Sequence, residues 1–452
     1  MKRRTTTFAA TLLAATVTLA ACTSGSDETA ADADRPTEMP TEDITLELWW
    51  WGEQEAPGAE QFIDEAIAAY QAENPNVTII PTLQNTDALI PAFESAAAAG
   101  EGPDIQYFWG GIYSQQPGWN GNLVPVSDYI DAEELANYTN AATEASFEDV
   151  VWTAPWYVIP SFPMLSNTAL LAEHGLTTPT TWDELLTTCD TLSAAGVTTL
   201  AGGVKDGWFG GWLYSMIGVQ SLDGVDDVLS AVVGDSSFTD EAHAQWWERL
   251  AETSEHGCWN DDINSLELYQ AQERFVAGEA AMTVVAGSDA ANMAEQAGGP
   301  ETIEIVAMPQ WADGPLSGQI ASSSQTLGIS SWTEYPQVAA DFIQFLHTPE
   351  QLQAWYDATG VLPADDRFDT SVAADDPFRS ALFEAGRSGV PYLENFIPAQ
   401  LDSDAVFANV QLVLSGDMAP ADAAQAMQDT ADRLRQTDRE LVDNFTAWGE
   451  AQ

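Results

Sequence analysis

Ile44-Thr45-Leu46-Glu47-Leu48-Trp49-Trp50 alternates apolar and polar side chains until it runs into tryptophan, the period-two signature of a strand with one buried face. After it Phe62, Ile63, Ala66, Ile67 and Tyr70 recur at helical spacing, and Asn74-Pro75 stops the helix, because the residue before proline is pushed out of the α region. A second strand is predicted at 77–82. A second helix carries Leu89, Ile90, Phe93 and Ala97 and ends at Gly100; beyond Pro103 a third strand runs over 104–109. Strand, helix, strand, helix, strand is the order of a parallel sheet covered by helices. Such sheets hold ligands beyond the carboxyl ends of their strands. Here those ends carry Trp49-Trp50-Trp51-Gly52-Glu53 and Trp109-Gly110-Gly111, so aromatics and a carboxylate converge on one edge.

Further along, the pattern is mixed. A strand-like run over 151–164 leads through Asn167 to Thr181-Trp182-Asp183-Glu184, which has the form of a helix capping box. Strands are predicted at 281–286, 304–308 and 326–330, and helices from Pro336 onward, the last a long amphipathic one over about 421–448. No internal repeat is present. About 410 residues follow position 42, too many for one hydrophobic core and suited to two lobes.

The chain opens with Met1-Lys2-Arg3-Arg4 and an apolar stretch from Phe8 to Leu19, too short to span about 30 Å of hydrocarbon, which needs roughly 20 residues. This reads as a cleavable signal over 1–21. The stretch Leu19-Ala20-Ala21-Cys22 resembles a bacterial lipobox, which implies lipidation of Cys22 and anchoring to the outer face of the cell membrane. An ordinary secretory signal cleaved near Ala20-Ala21 is the alternative. Residues 22–42 read as a flexible tether, polar and without apolar period.

Loss of Lys2, Arg3 and Arg4 with the signal takes the 13 basic residues to ten, against 70 acidic ones, a net charge of about −60. Nucleic acid and anionic lipid are therefore poor partners. Lys205 is then the sole lysine, and the acid-rich, lysine-poor composition reads as a surface adapted to high salt. With Cys22 lipidated, Cys189 and Cys258 remain, and in an oxidising exterior they either pair or lie buried apart.

Enzyme motifs fail on context. Gly234-Asp235-Ser236-Ser237 and Asp240-Glu241-Ala242-His243 lack the partners their look-alikes need; no GxxxxGK[ST] loop and no GxSxG occur. Asn260, Asp262 and Asn264 begin like a calcium loop without its glycine and final glutamate. Four histidines make no metal cluster, so neither metal nor cofactor is expected.

Taken in order, Leu46-Glu47-Leu48-Trp49, Gly102-Pro103-Asp104-Ile105 with Trp109, Gly121-Asn122-Leu123-Val124-Pro125, Asn167, the stretch from Gly175 to Leu185, Phe275 to Met282, Ala340 to Leu346 and Gly360-Val361-Leu362-Pro363 resemble the extracytoplasmic sugar-binding lipoproteins of ABC transporters, of which maltodextrin-binding protein is the familiar member. The resemblance implies an α/β fold of two lobes with a hinge and a ligand cleft between them, as in periplasmic binding proteins. The chain then crosses near 154–158, 308 and 348, giving one lobe of 43–153 plus 308–347 and another of 154–307 plus 348–452. It implies a monomer that takes a mono- or oligosaccharide, closes on it, and delivers it to permease subunits without chemistry on the ligand.

Sugar binding suits the residues on separate grounds. A pyranose has C–H-rich faces that flat aromatics cover and a hydroxyl rim that carboxylates and amides bond. Seventeen tryptophans cluster at Trp49 to Trp51, Trp152 with Trp156, and Trp208 with Trp212; Trp49 is assigned to the core. By position in the family pattern, Glu53 matches an acidic sugar contact, and Trp109 and Trp208 match aromatic platforms of the two lobes. Trp156 lies on the first crossing. Asp289 stands where the family often has tryptophan, and Asn85 and Gln319 are amide candidates; with Trp51 and Trp212 these complete the expected ligand set. Two rivals stay open: a secreted glycoside hydrolase, with paired carboxylates beside tryptophans, and a receptor for a cationic solute held by acids and an aromatic cage.

Overall fold

Strand β1 (Ile44–Trp50) buries Ile44, Leu46, Leu48 and Trp50 and exposes Thr45 and Glu47. The alternation thus puts Trp50 in the core at 2 % exposure, and Trp49, expected there, sits half-buried on the opposite face. The structure is a computed structural model that describes residues 38–140, 144–147, 150–388 and 390–451. The signal, Cys22 and the tether as far as residue 37 lie outside the described residues.

Helix α1 (Ala59–Glu73) buries the same Phe62, Ile63, Ala66, Ile67 and Tyr70 that its spacing marks, and leads to β2 (Val77–Leu83), parallel to β1. Helix α2 (Thr86–Ala99) starts at Asn85, whose side chain accepts from the Ala88 backbone, and ends at left-handed Gly100. Strand β3 (Ile105–Trp109) lies parallel to β1 on its other side, followed by α3 (Ile112–Trp119). The expected parallel unit is therefore present, in the order β2-β1-β3.

The sheet then continues antiparallel. After short β4 (Leu123–Val124), β5 (Ser146–Phe147) and β6 (Val150–Val151) comes β7 (Thr153–Ser161), then β8 (Met164–Asn167), β9 (Thr198–Ala201), β10 (Ala280–Val284), β11 (Ile303–Val306) and β12 (Ala321–Ser330). Strand β12 pairs with β3 on one edge and with β7 and β4 on the other, giving a six-stranded sheet. A second sheet runs β11-β8-β10-β9, with β8 antiparallel to both its neighbours. Two sheets with helices between and around them make the α/β architecture in two lobes.

Strand β12 begins five residues earlier than predicted. Ser322-Ser323-Ser324-Gln325 reads as a polar stretch, yet all four side chains are buried, because two neighbouring strands satisfy the backbone and some of the hydroxyls find carbonyls, as Ser324 Oγ bonds Thr139 O at 3.1 Å. The helix expected over 421–448 is two, Pro420–Thr437 and Arg439–Ala451. Asp438 caps the second by accepting from the Leu441 amide at 3.0 Å, the local side-chain bond that competes with helix continuation. The segment after 348 also divides. Helix Pro349–Thr359 packs on α1, with Trp355 edge-on to Phe62 at 5.3 Å, beside the first sheet.

At Thr181 both bonds of the capping box form with Glu184. In the same helix Cys189 is disulfide-bonded to Cys258, both fully buried, with Cα atoms 4.7 Å apart.

Candidate functional site

A cavity of about 270 Å³ lies at the carboxyl ends of β1 and β3, where the first sheet meets helices of the second lobe. Trp51, one residue past β1, and Trp109, the last of β3, meet edge to face at 5.6 Å; Tyr113, in the first turn of α3, stands against Trp109 at 5.5 Å. Trp51 is fixed by its indole N–H donating to Thr86 Oγ1 at 3.0 Å. Ser323 and Gln325 of β12 complete this wall.

The facing wall comes from the second lobe. Trp208 and Trp212, at the start and in the body of helix Phe209–Leu213, pack at 5.1 Å, and Tyr269 lies 5.4 Å from Trp208. Phe162, in the turn between β7 and β8, holds φ 58°, a left-handed conformation costly for a bulky side chain, and stacks on Trp212 at 3.7 Å. Both the Trp212 helix and the segment bearing Phe407 run through wider π turns, a departure from regular helix frequent beside functional sites. Nine of the eighteen lining residues are aromatic.

The two walls bond to each other across the cavity. Tyr269 donates to Glu55 Oε1 at 2.9 Å, Tyr113 to Asp402 Oδ2 at 3.4 Å, and Asn395 Nδ2 to Ser323 Oγ at 3.2 Å. Gly111, at φ 66°, allows this approach, since a Cβ there would lie 2.4 Å from the Asn395 carbonyl oxygen.

Buried carboxyls set the electrostatics. Glu55 is 6 % exposed, and burial raises its pKa to about 7 against the opposing Tyr269 hydrogen bond, with the Asp289 charge adding to the rise. Glu394 is held well above the usual carboxylate range, first by burial and then by the charge of Asp402; Asp402 is pushed up to about 7 by burial. Gly211 makes room for Glu394, whose carboxyl occupies the space a side chain there would need.

Of the residues expected from sequence, Trp51, Trp109, Trp208 and Trp212 line the cavity. Glu53 does not. It folds over its own loop, accepting from the Gly58 and Glu60 amides at 3.0 and 2.7 Å, and with the helix cap Asn85 borders a separate outer groove that touches the cavity's Trp51. Trp156 is 3 % exposed and packs between Phe62 and Trp355 in the core. Half-buried Asp289 accepts from Asn292 at 2.8 Å just outside the lining, and Gln319 is exposed and away from it.

Sequence reading missed Glu55, Tyr269, Tyr392, Glu394 and Asn395. Within Gly52-Glu53-Gln54-Glu55 nothing local tells which acid turns inward, and the other four lie far along the chain in stretches without a motif. Among the described residues no group of three His, Cys, Asp or Glu is placed to hold a metal ion, and no helix is long and apolar enough to cross a membrane.

The family model of bacterial extracellular solute-binding proteins matches residues 65–380. No curated protein sequence matches the chain. Among solved structures it is similar to one from work on xylan utilisation by Caldanaerobius polysaccharolyticus, at 24 % identity and TM-score 0.74, covering 85 % of this chain and 99 % of that one. A chitin oligosaccharide binding protein matches at 20 % identity and TM-score 0.77, over 86 % and 98 % of the two chains. The GacH receptor of Streptomyces glaucescens, solved unliganded and with acarbose, matches at 17 % identity and TM-score 0.70, over 87 % and 98 %. Likeness at these identities establishes the fold.

Proposed function

The chain belongs to the bacterial extracellular solute-binding protein family, and from that premise we propose that it captures a mono- or oligosaccharide outside the cell and hands it, unaltered, to the permease of an ABC transporter. The observation that carries this reading is the cavity lining: aromatic faces from both lobes, interleaved with carboxyls and amides, match the C–H faces and hydroxyl rim of a sugar. Two structural relatives, a chitin oligosaccharide binding protein and a receptor solved in complex with acarbose, support the ligand class.

In this account Trp51, Trp109, Trp208 and Trp212 stack on or flank the sugar, and Glu55, Asn395 and Gln325 bond its rim. Glu53 and Asn85 make contact only with a ligand long enough to extend past Trp51 into the outer groove. The lobes part at β7 and β12 and near 308; residues 43–153, 308–347 and helix Pro349–Thr359 form the first, and the second sheet with its helices forms the other. Bonds across the cavity favour the closed form when ligand contacts both walls. Cys22, freed by signal cleavage, carries a lipid that tethers a monomer to the membrane. The acidic exterior suits saline surroundings.

A thermal-shift screen of the mature chain against mono- and oligosaccharides tests this. A sugar at about 100 times its Kd adds roughly 2.7 kcal/mol of stability, and it is recovered uncleaved. No shift with any sugar refutes the ligand class; recovery of hydrolysed sugar refutes the receptor role in favour of a hydrolase.

A further inference from the structure

We propose, on the basis of the sugar-receptor reading, that the solute this cavity is built for carries a protonated amine: an amino-sugar or short amino-oligosaccharide, its charge held at Glu394 among the aromatic faces, with Asp206 and Glu55 adding to the negative field of the same cavity.

Three carboxyls line the cavity, and none of its lining residues is Lys, Arg or His. An acid-rich chain places carboxylates on its surface as a matter of course, but Glu55 and Glu394 are each 6 % exposed, where solvation does not favour them. Glu394 Oε2 and Oδ1 of its neighbour Asp402, 1 % exposed, receive no hydrogen bond from an amide, hydroxyl or cationic group of the described residues, and the two carboxyls are left to bond each other. Two adjoining buried carboxyls without a cation retain a proton between them, in keeping with the upward pKa of both.

An ammonium group supplies what this end of the cavity lacks. It brings three donors and a positive charge, where a sugar hydroxyl brings one donor and none. The surrounding rings add to the preference, because aromatic faces attract cations, tryptophan most strongly. Trp208 and Trp212 stand together at 5.1 Å on the same lobe as Asp206 and Glu394. The uncharged polar groups of the lining, Ser323, Gln325 and Asn395, remain for hydroxyls, which is why the amine belongs on a sugar.

The test is titration calorimetry of the mature chain near pH 7 with glucosamine and its β-1,4-linked dimer, against glucose, N-acetylglucosamine and their matching dimers. The amine forms bind about tenfold or more tighter than their neutral counterparts. That advantage shrinks severalfold between about 0.05 and 0.5 M salt, as the Debye length falls from roughly 14 to 4 Å. It collapses in Glu394→Gln and falls in Asp206→Asn, a change at an exposed position. Neutral sugars binding as tightly as amines would overturn the inference and leave the sugar-receptor reading standing. Choline binding while no sugar binds would overturn both, and so would binding by none of these. An amine preference untouched in both variants would overturn the assignment to these carboxyls.

Discussion

Replacing Tyr269 with phenylalanine removes one hydroxyl and keeps the ring that packs on Trp208 at 5.4 Å. The lost bond, Tyr269 to Glu55 Oε1 at 2.9 Å, joins one wall of the cavity to the loop after β1 on the other, so parting of the walls would break it. A hydrogen bond of this kind, between a hydroxyl and a buried carboxyl near its pKa, contributes about 1 to 2 kcal/mol net. With the whole loss falling on the closed form, Kd rises roughly 5- to 30-fold. The change appears in koff, since encounter with the open cleft does not involve the bond. Four tryptophans lining the cavity make intrinsic fluorescence in a stopped-flow instrument the natural readout. Glu55→Gln, which keeps an acceptor oxygen for Tyr269, separates loss of the bond from loss of the charge. A koff and Kd within twofold of wild type in Tyr269→Phe would refute the reasoning that this contact holds the lobes together.

Trp208→Ala removes a stacking face and weakens ligand binding by about 1 to 3 kcal/mol without unfolding the chain; unchanged affinity by calorimetry would remove it from the site. Glu144 is buried against β12, accepts from the Ser324 amide at 2.7 Å, and has its pKa raised by burial to about 8. A folded pKa above the unfolded one means that its contribution is whole below about pH 4.5 and is lost as pH climbs through about 8, a loss of up to about 5 kcal/mol at roughly 1.4 kcal/mol per unit. Urea midpoints therefore fall from pH 5 to pH 9 more steeply in wild type than in Glu144→Gln, and parallel falls would contradict this. The Cys189–Cys258 bond closes a loop of sequence separation 69, and serine at both positions costs about 4 kcal/mol by chain entropy, seen as a lowered denaturation midpoint in non-reducing buffer.

The fold was legible where burial alternates or recurs with a clean period. Ile44 to Trp50, the buried face of α1, and the box at Thr181 and Glu184 each carry local physics that survives in the whole molecule. Strand β12 was half hidden because its polar first half is buried by backbone pairing rather than by an apolar pattern, and that pairing depends on strands far away in sequence. In the site, tryptophans next to strand ends could be found, since an α/β sheet fixes where ligands lie. The acid could not: Glu53 and Glu55 differ only in which one the loop turns inward, Glu53 serving the Gly58 and Glu60 amides and Glu55 the cavity. Trp156 looked like a cleft residue from its place on a crossing strand, but α1 and Trp355 close over it.

The central claim is capture of a sugar between the two lobes, and a crystal structure of the mature protein with the tightest-binding sugar of the panel tests it most directly. The account predicts sugar density in the cavity between Trp109 and Trp208, with the Tyr269 to Glu55 bond formed. Density confined to the outer groove at Glu53 and Asn85, or a cavity empty of sugar at saturating ligand, would contradict it.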